Sequence, residues 1–160
     1  MSIERARAHL KDYGFEGRIM EFNKSSATVE LAASAVGVIP ARIAKTLSFK
    51  AADDTILIVA AGDAKVDNAK YKTVFRTKAK MLTNGEVETL TGHAVGGVCP
   101  FGVIDGVKTY LDVSLKRFDT VFPAAGTASS AVRLTCEELF LCSCAVEWID
   151  VCKAWQDNEV

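Results

Sequence analysis

The chain has 160 residues, of which 49% are hydrophobic and 24% charged, and its formal net charge is −1. This length suits one domain, residues 1–160, that buries a sizeable core without disulfides or metals. No apolar run approaches the roughly 18 residues of a membrane-spanning helix, and the N-terminal residues carry spread charges instead of the apolar segment of a signal peptide, so we expect a cytoplasmic protein.

The first 61 residues are predicted to contain two helices and three strands. The helices cover 2–13 and 25–37, and the strands cover 18–22, 42–50 and 55–61. Ser2 and Ser26 are expected to cap the two helices, because a serine oxygen accepts from the free N–H groups of a first turn. Gly37 is expected to close the second helix. The last two strands are joined through the segment "AADD".

The order of elements becomes mixed after residue 61. The predicted helices cover 67–75, 84–92 and 136–143, and the predicted strands cover 79–82, 107–113, 119–125, 131–135 and 145–151. Asp63 follows a strand and is expected to cap the segment after it. Because there is no regular alternation of strand and helix, the pattern predicts an α+β or mixed α/β domain built on a strongly curved sheet.

The five cysteines indicate neither a disulfide framework nor a metal site. Their number is odd, and Cys142, Cys144 and Cys152 crowd the C-terminal end, whereas secreted frameworks are usually even and spread along the chain. Structural zinc sites favour Cys-x2-4-Cys pairs joined by a second pair or by histidines. Here one residue separates Cys142 from Cys144, and His9 and His93 are distant in sequence. We therefore expect no metal and no cofactor.

Charge is distributed unevenly along the chain. Between Lys65 and Lys80 there are six basic residues and one acid, and from Thr135 to the end there are six acids and one base. A basic run can favour a polyanion, although a solvated helix face is its commoner explanation. A protein that depended on tight, sequence-independent nucleic-acid binding would be more basic overall.

Lys45 lies within an apolar strand face. Alternate side chains of a strand share a face, so Lys45 is predicted to point the same way as Ile43, Leu47 and Phe49, and Thr46 the opposite way. Two interpretations stay open. The side chain reaches past the strand edge into water, or its ammonium group lies at the floor of a cleft, where a low dielectric strengthens its hold on an anionic or carbonyl oxygen.

A glycine-rich loop, "TGHAVGGVCPFG" at 91–102, is the second candidate for chemistry. Its four glycines and one proline indicate a sharp turn or a close approach to another group, and its N–H groups can hold a phosphate or an oxyanion. It contains neither Gly-x-Gly-x-x-Gly nor Gly-Lys-Ser/Thr, which excludes dinucleotide and P-loop sites.

Cys99, inside this loop, becomes a nucleophile only if a base such as His93 reaches it. The alternative role of His93 is loop packing or substrate lining.

Three segments resemble, in order and spacing, the YbaK/ProX family, the free-standing relatives of the editing domain inserted in bacterial prolyl-tRNA synthetases. "IAKTLSF" (43–49) resembles the lysine-bearing strand of that family. "LTGHAVGGVCPFG" (90–102) resembles its Gly-x-x-x-Pro loop, here Gly96 to Pro100, and "VFPAAGTASSAVRLTCEEL" (121–139) resembles its late strand, turn, strand and helix entry. With "AAGDAKVD" between them, the resemblance spans nearly the whole chain. It implies an α+β fold with a mixed, barrel-like sheet flanked by helices.

The resemblance implies an aminoacyl-tRNA hydrolase, a carboxylic ester hydrolase that removes a small mischarged amino acid such as cysteine or alanine, typically from the proline tRNA. The catalytic residues that it implies are Lys45, Gly96 and Gly97. Together with the strand and loop patterns it gives a set of substrate-binding candidates: Thr46, His93, Val98, Cys99, Pro100, Ala125 and Gly126. Some relatives carry a histidine or serine in the late turn, where this chain has Thr127 to Ser130, and the role of that turn stays open.

The chemistry of such a site requires little beyond positioning. An aminoacyl ester is already activated, so a placed water and oxyanion donors can suffice without a metal or a covalent nucleophile. The expected partners are aminoacyl-tRNA, bound weakly and in a salt-sensitive way through the Lys65 to Lys80 stretch, and prolyl-tRNA synthetase. Two other functions stay open: a non-catalytic module that binds tRNA or a synthetase, and a Cys99-dependent hydrolase.

Overall fold

The chain forms five helices and ten strands, counted over residues 2–23 and 28–158, which are the residues that the computed structural model describes. The helices are α1 (Ser2–Lys11), α2 (Val29–Val36), α3 (Asn68–Phe75), α4 (Asn84–Thr91) and α5 (Cys136–Cys142). The strands are β1 (Ile19–Glu21), β2 (Ile43–Ala51), β3 (Asp54–Ala61), β4 (Lys65–Val66), β5 (Lys108–Asp112), β6 (Thr120–Pro123), β7 (Ser130–Val132), β8 (Leu134–Thr135), β9 (Trp148–Ile149) and β10 (Cys152–Lys153). None of the helices in these ranges combines the length and the hydropathy needed to cross a bilayer.

A six-stranded mixed sheet organises the fold, in the order β8-β6-β2-β3-β5-β9. The central hairpin of β2 and β3 is antiparallel and pairs from Ala44↔Ala61 to Ala51↔Asp54. β6 runs parallel to β2, and β5 runs parallel to both β3 and β9. Two antiparallel pairs, β1 with β7 and β4 with β10, lie outside this sheet. The prediction of an α+β domain on a curved mixed sheet is confirmed.

The hydrophobic core follows the central hairpin. β3 is buried from Ile56 to Ala61, which explains its continuous apolar sequence, because a strand covered on both faces loses the apolar–polar alternation. α1 packs on this core through Ala6 and Leu10, both fully buried. Burying a side chain of the size of Leu10 stabilises the fold by about 1.5–3 kcal/mol.

Most predicted elements are present, with differences at their ends. Gly37 closes α2 with a left-handed φ of 85°, as expected, and Thr28 is its N-cap, with an oxygen that accepts from the Leu31 N–H at 3.1 Å. Ser26, the predicted cap, lies outside the described residues. The strand predicted at 79–82 is reduced to one bridge, Phe49↔Met81. The short strands β4 and β10 were not predicted, because neither has enough residues to show a period.

Candidate active site

A cavity of about 370 Å³ opens along the edge of β2. β6 pairs with β2 only at Ile43 and Ala44. Further along the same edge, the Ser48 carbonyl accepts from the Leu82 N–H at 3.1 Å. Between these two contacts the described residues provide no strand partner on the edge of β2 that faces away from β3, so this stretch of strand edge forms one wall of the cavity.

Several elements line the cavity. β2 contributes both faces of its middle part, and the glycine-rich loop contributes Val95, Gly96 and Val98. The remaining walls come from α2, the segment before α4, α4 itself and the late strands. The lining residues of these walls are Thr28, Val29, Ala32, Met81, Leu82, Asn84, Val87, Phe122, Ala124, Ser130 and Ala131. The fold therefore brings the predicted lysine strand and the predicted glycine loop to one small hollow.

Lys45 lines this cavity and is half-buried. Its Nζ donates to the carbonyl oxygens of Gly62, at 3.5 Å, and of Ala64. Burial lowers the pKa of Lys45 below its ordinary value, while the negative charges of Asp63 and Glu30 act in the opposite direction. An ammonium group carries three N–H donors, so two carbonyl partners leave one donor for a further oxygen.

Thr46 also lines the cavity, although its position on the opposite strand face from Lys45 made it the weaker candidate. Its Oγ1 is buried and has no hydrogen-bond partner among the described residues. The reason is the open edge of β2, because side chains from both faces of an edge strand reach a hollow that lies beside it. A buried hydroxyl without a partner costs free energy, and a polar atom of a bound ligand would remove that cost.

The predicted glycine loop divides into two parts. Gly96 and Val98 line the cavity, whereas Gly97, Cys99 and Pro100 are buried beneath it. The Gly97 N–H donates to the Ala94 carbonyl at 2.9 Å, so it is not free to hold an oxyanion, and we revise its predicted catalytic role to one of packing. A Cβ at Gly97 would lie 2.5 Å from the Gly126 carbonyl oxygen. Only glycine permits this close approach of two backbone segments.

His93 and Cys99 lie together in the core, away from the cavity lining. Both are fully buried, and 3.5 Å separates His93 Nε2 from Cys99 Sγ. His93 Nε2 also lies 2.6 Å from the Phe101 carbonyl oxygen, and because a carbonyl only accepts, that nitrogen carries the proton and is no base for Cys99. Burial raises the pKa of Cys99 to about 12. This geometry disfavours a Cys99-dependent hydrolase and gives both residues a packing role.

The two residues predicted in the late turn, Ala125 and Gly126, lie behind the cavity and do not line it. Ala125 is fully buried, and Gly126 has a left-handed φ of 101° where it approaches the backbone of α1 at Ser2. The Ser130 hydroxyl oxygen accepts from the N–H groups of Ala125, at 3.1 Å, and Thr127, at 3.2 Å. Ser130, which holds the turn, is itself at the cavity wall.

Three lining residues had no distinguishing signal in the sequence, and a fourth, Val95, lies in the predicted loop but was not itself a candidate. Met81 and Val95 are 55% and 57% exposed at the mouth of the cavity, and Asn84 and Val87 reach it from α4. Each is an ordinary loop or helix residue locally, and only long-range packing brings it to the site.

The Asp63 carboxylate is paired with Arg117 rather than used as a cap. Arg117 Nη1 and Nη2 lie 2.9 and 2.5 Å from its two oxygens. The helix that follows is capped by Asp67, whose oxygen accepts from the N–H groups of Ala69 and Lys70. The prediction that Asp63 caps the next segment is therefore wrong, because two aspartates compete for that role and only Asp67 directly precedes the helix.

The fold and the cavity together define a class of protein. A lysine ammonium and a loop of backbone amides that share a small cavity suit the hydrolysis of an already activated ester. Residues 23–141 match the family described as the aminoacyl-tRNA editing domain, and the chain belongs to this family. It is thus an aminoacyl-tRNA hydrolase, as the sequence predicted.

Individual relatives agree with this assignment. The chain is 54% identical to the uncharacterized protein YwhH of Bacillus subtilis over 157 residues, which are 98% of this chain and all of YwhH. It is 26% identical to the proline–tRNA ligase of Bacillus licheniformis over 120 residues, 72% of this chain but 21% of the ligase. A solved structure described as a proposed trans-editing enzyme for prolyl-tRNA synthetase superposes with a TM-score of 0.87 at 31% identity, covering 95% of this chain and 97% of that one.

Proposed function

We propose that this hydrolase acts in trans on tRNA that carries a small mischarged amino acid, cysteine, alanine or a residue of similar size, and that the proline tRNA is its substrate. The observation that supports this most directly is the shared cavity: Lys45, Thr46, Gly96 and Val98 line one hollow of about 370 Å³. That volume lies near the lower end of the range of volumes found for small-molecule binding sites. The similarity to segments of proline–tRNA ligases supports the choice of tRNA.

The proposed reaction is a direct attack of water on the ester carbonyl carbon. The bond from that carbon to the ribose oxygen breaks, and the proton of the water passes to the ribose oxygen. The N–H groups of Gly96 and Val98 are the candidate donors to the tetrahedral oxygen, and the free N–H of Lys45 holds a phosphate or carbonyl oxygen of the tRNA 3′ end. With a cysteinyl ester, the thiol sulfur of the substrate itself can attack the carbonyl carbon: the ribose oxygen leaves and takes the thiol proton, and water then opens the resulting thiolactone to free cysteine.

Selectivity in this proposal is steric. The walls are largely aliphatic, with Val87, Val98 and Ala124 among them, and such a site discriminates a methylene or two by only about 1–3 kcal/mol. We therefore expect a graded preference that follows side-chain size, with alanyl-, seryl- and cysteinyl-tRNA cleaved faster than threonyl-tRNA and with prolyl-tRNA cleaved slowest. The measurement is deacylation of proline tRNA charged with each amino acid, compared with the spontaneous loss of each ester.

The outcome of this panel separates the proposal from its alternatives. Hydrolysis of none of the esters by the wild-type chain would contradict it, and binding of tRNA or synthetase without hydrolysis would favour a non-catalytic module. Equal rates of hydrolysis on all esters would contradict the proposal that the cavity selects its substrate by size.

The basic stretch from Lys65 to Lys80 is the proposed contact for tRNA. Lys70 is paired with Asp150 at 3.0 Å. The other five basic residues of the stretch are exposed, and none has an ion-pair partner within residues 2–23 and 28–158. They are Lys65, Lys72, Arg76, Lys78 and Lys80. The stretch ends beside the cavity, because Met81 lines it. Unpaired cations next to the site suit the phosphates of a bound tRNA.

Replacing Lys72 and Lys78 together with alanine is expected to raise KM for charged tRNA about three- to tenfold at low salt, with kcat unchanged, since each phosphate contact adds to a salt-dependent affinity. The difference from wild type is expected to shrink as salt rises, because salt screens exposed charges. Lys11→Ala, which removes an exposed lysine outside the stretch, is the control. Unchanged deacylation at low and high salt would exclude this contact.

A further inference from the structure

The lysine at the cavity is held by a turn that contains a carboxylate. Lys45 Nζ donates to the carbonyl oxygens of Gly62 and Ala64, and Asp63 is the residue between them. Of the two carboxylates whose charge raises the pKa of Lys45, Asp63 acts more strongly than Glu30. The Asp63 side chain leaves the backbone between the two carbonyls that hold Nζ. An ammonium group beside a carboxylate normally pairs with it, and such a pair would occupy the donor that a substrate needs.

Arg117 binds the carboxylate instead. Its Nη1 and Nη2 donate to Asp63 Oδ2 and Oδ1 at 2.9 and 2.5 Å, and the two side chains are only 14% and 17% exposed. Burial alone would raise the pKa of Asp63, but the hydrogen bonds from Arg117 and Asn158 and the charge of Arg117 outweigh it and hold the pKa below its usual value. The carboxylate is therefore charged at neutral pH and fully engaged by the guanidinium.

Four further contacts fix Arg117 in this position, one of them a hydrogen bond from Nη1 to the Trp155 carbonyl at 3.4 Å. Its Nε donates to the Ser114 carbonyl at 2.9 Å, and its guanidinium carbon lies 4.9 Å from the ring centroids of both Phe118 and Trp155. Asn158 Nδ2 adds a hydrogen bond to Asp63 Oδ2 at 3.0 Å. Trp155 and Asn158 lie beyond residue 141, where the match to the family ends, so the C-terminal segment of the chain completes the arrangement.

We propose that Arg117 is a positioning residue that sequesters the Asp63 carboxylate and so keeps the Lys45 ammonium group free to hold the aminoacyl-tRNA ester. This inference rests on the proposed function, since it concerns the same lysine. It assigns to Arg117 an electrostatic task that a purely structural ion pair would not have. Without the guanidinium, the Asp63 carboxylate turns towards the ammonium group and competes with substrate.

The test is a rescue by a second substitution. Arg117→Met is expected to lower kcat/KM for the preferred ester about 10- to 100-fold, the size of effect that misplacement of a group at a site produces. Adding Asp63→Asn removes the competing charge. The kcat/KM of the double variant is therefore expected to be about tenfold or more above that of Arg117→Met. A purely structural role predicts a different readout: Asp63→Asn restores the free energy of unfolding by removing an unpaired buried carboxylate, but kcat/KM, measured where both variants are folded, stays at the level of Arg117→Met. Arg117→Lys, which retains a cation beside Asp63, is expected to keep more activity than Arg117→Met.

Matched controls separate this effect from a general loss of arginine. Arg7 and Glu21 form an exposed ion pair at 3.1 Å, and Arg7→Met, alone and with Glu21→Gln, is expected to match wild type. Thermal unfolding of every variant fixes an assay temperature at which each is folded; if Arg117→Met is not folded, Arg117→Lys with and without Asp63→Asn provides the comparison. A double variant as inactive as its Arg117 parent, or a fully active Arg117→Met, would overturn the inference. A wild-type chain inactive on every ester would overturn the proposed function instead.

Discussion

Lys45→Ala is expected to lower kcat/KM for deacylation about 10²- to 10³-fold, the range found when a single preorganised donor to a developing charge is removed. The ammonium group is half-buried and held on the carbonyls of Gly62 and Ala64. It therefore needs no reorganisation when substrate arrives, and partial burial strengthens its interaction with an oxygen. Alanine removes the charge and all three donors, and water in the vacated space cannot supply a fixed charge.

Folding should survive this substitution. The ammonium contributes two hydrogen bonds to carbonyls of a turn, each worth about 1.5–3 kcal/mol for a charged donor, and this is partly offset because a lysine no longer has to be desolvated. Lys108→Ala is the control, since Lys108 is an exposed lysine of β5 paired with Asp54 at 3.5 Å. Deacylation is measured with alanyl- and cysteinyl-tRNA under single-turnover conditions. A folded Lys45→Ala variant with wild-type rates would remove Lys45 from the mechanism.

The sequence predicted the lysine strand and the curved sheet because both depend on local signals. Alternation over β2 and the apolar run of β3 are visible within nine residues, and the strand period is enough to identify them. The place of Thr46 was not predictable in this way. It depends on where β6 stops pairing with β2, after Ala44, and no local pattern records the end of a pairing between segments that are some 80 residues apart in sequence.

The glycine loop illustrates the same limit on a finer scale. The composition of 91–102 indicated a loop that approaches another group closely, and it does. It could not indicate that Gly96 and Val98 face the cavity while Gly97 and Cys99 face the core. That division follows from contacts with the late turn, which lies about 30 residues further along the chain. The pairing of Asp63 with Arg117 is equally non-local, so the sequence around Asp63 predicted a helix cap instead.

The packing role of Gly97 leads to the second large expected effect. In Gly97→Ala the new methyl group would lie 2.5 Å from the Gly126 carbonyl oxygen and 2.8 Å from the Thr127 Cα. These are backbone atoms of a turn that is itself packed against α1 at Ser2, so they cannot rotate away as a flexible side chain would. The loop and the turn must separate, which displaces Gly96 and Val98. We expect about a 100-fold loss of kcat/KM from this misplacement and a fall in the free energy of unfolding of about 1–3 kcal/mol.

The experiment pairs this variant with Gly17→Ala, because a Cβ at Gly17 meets no atom within 4 Å and its backbone is not left-handed. Both variants replace a glycine with alanine, so they change the unfolded chain alike; only Gly97→Ala changes the site. Unfolding midpoints and single-turnover deacylation rates are measured on the same preparations. If Gly97→Ala loses stability but keeps its rate, the proposal that the Gly96 and Val98 amides stabilise the tetrahedral oxygen is contradicted.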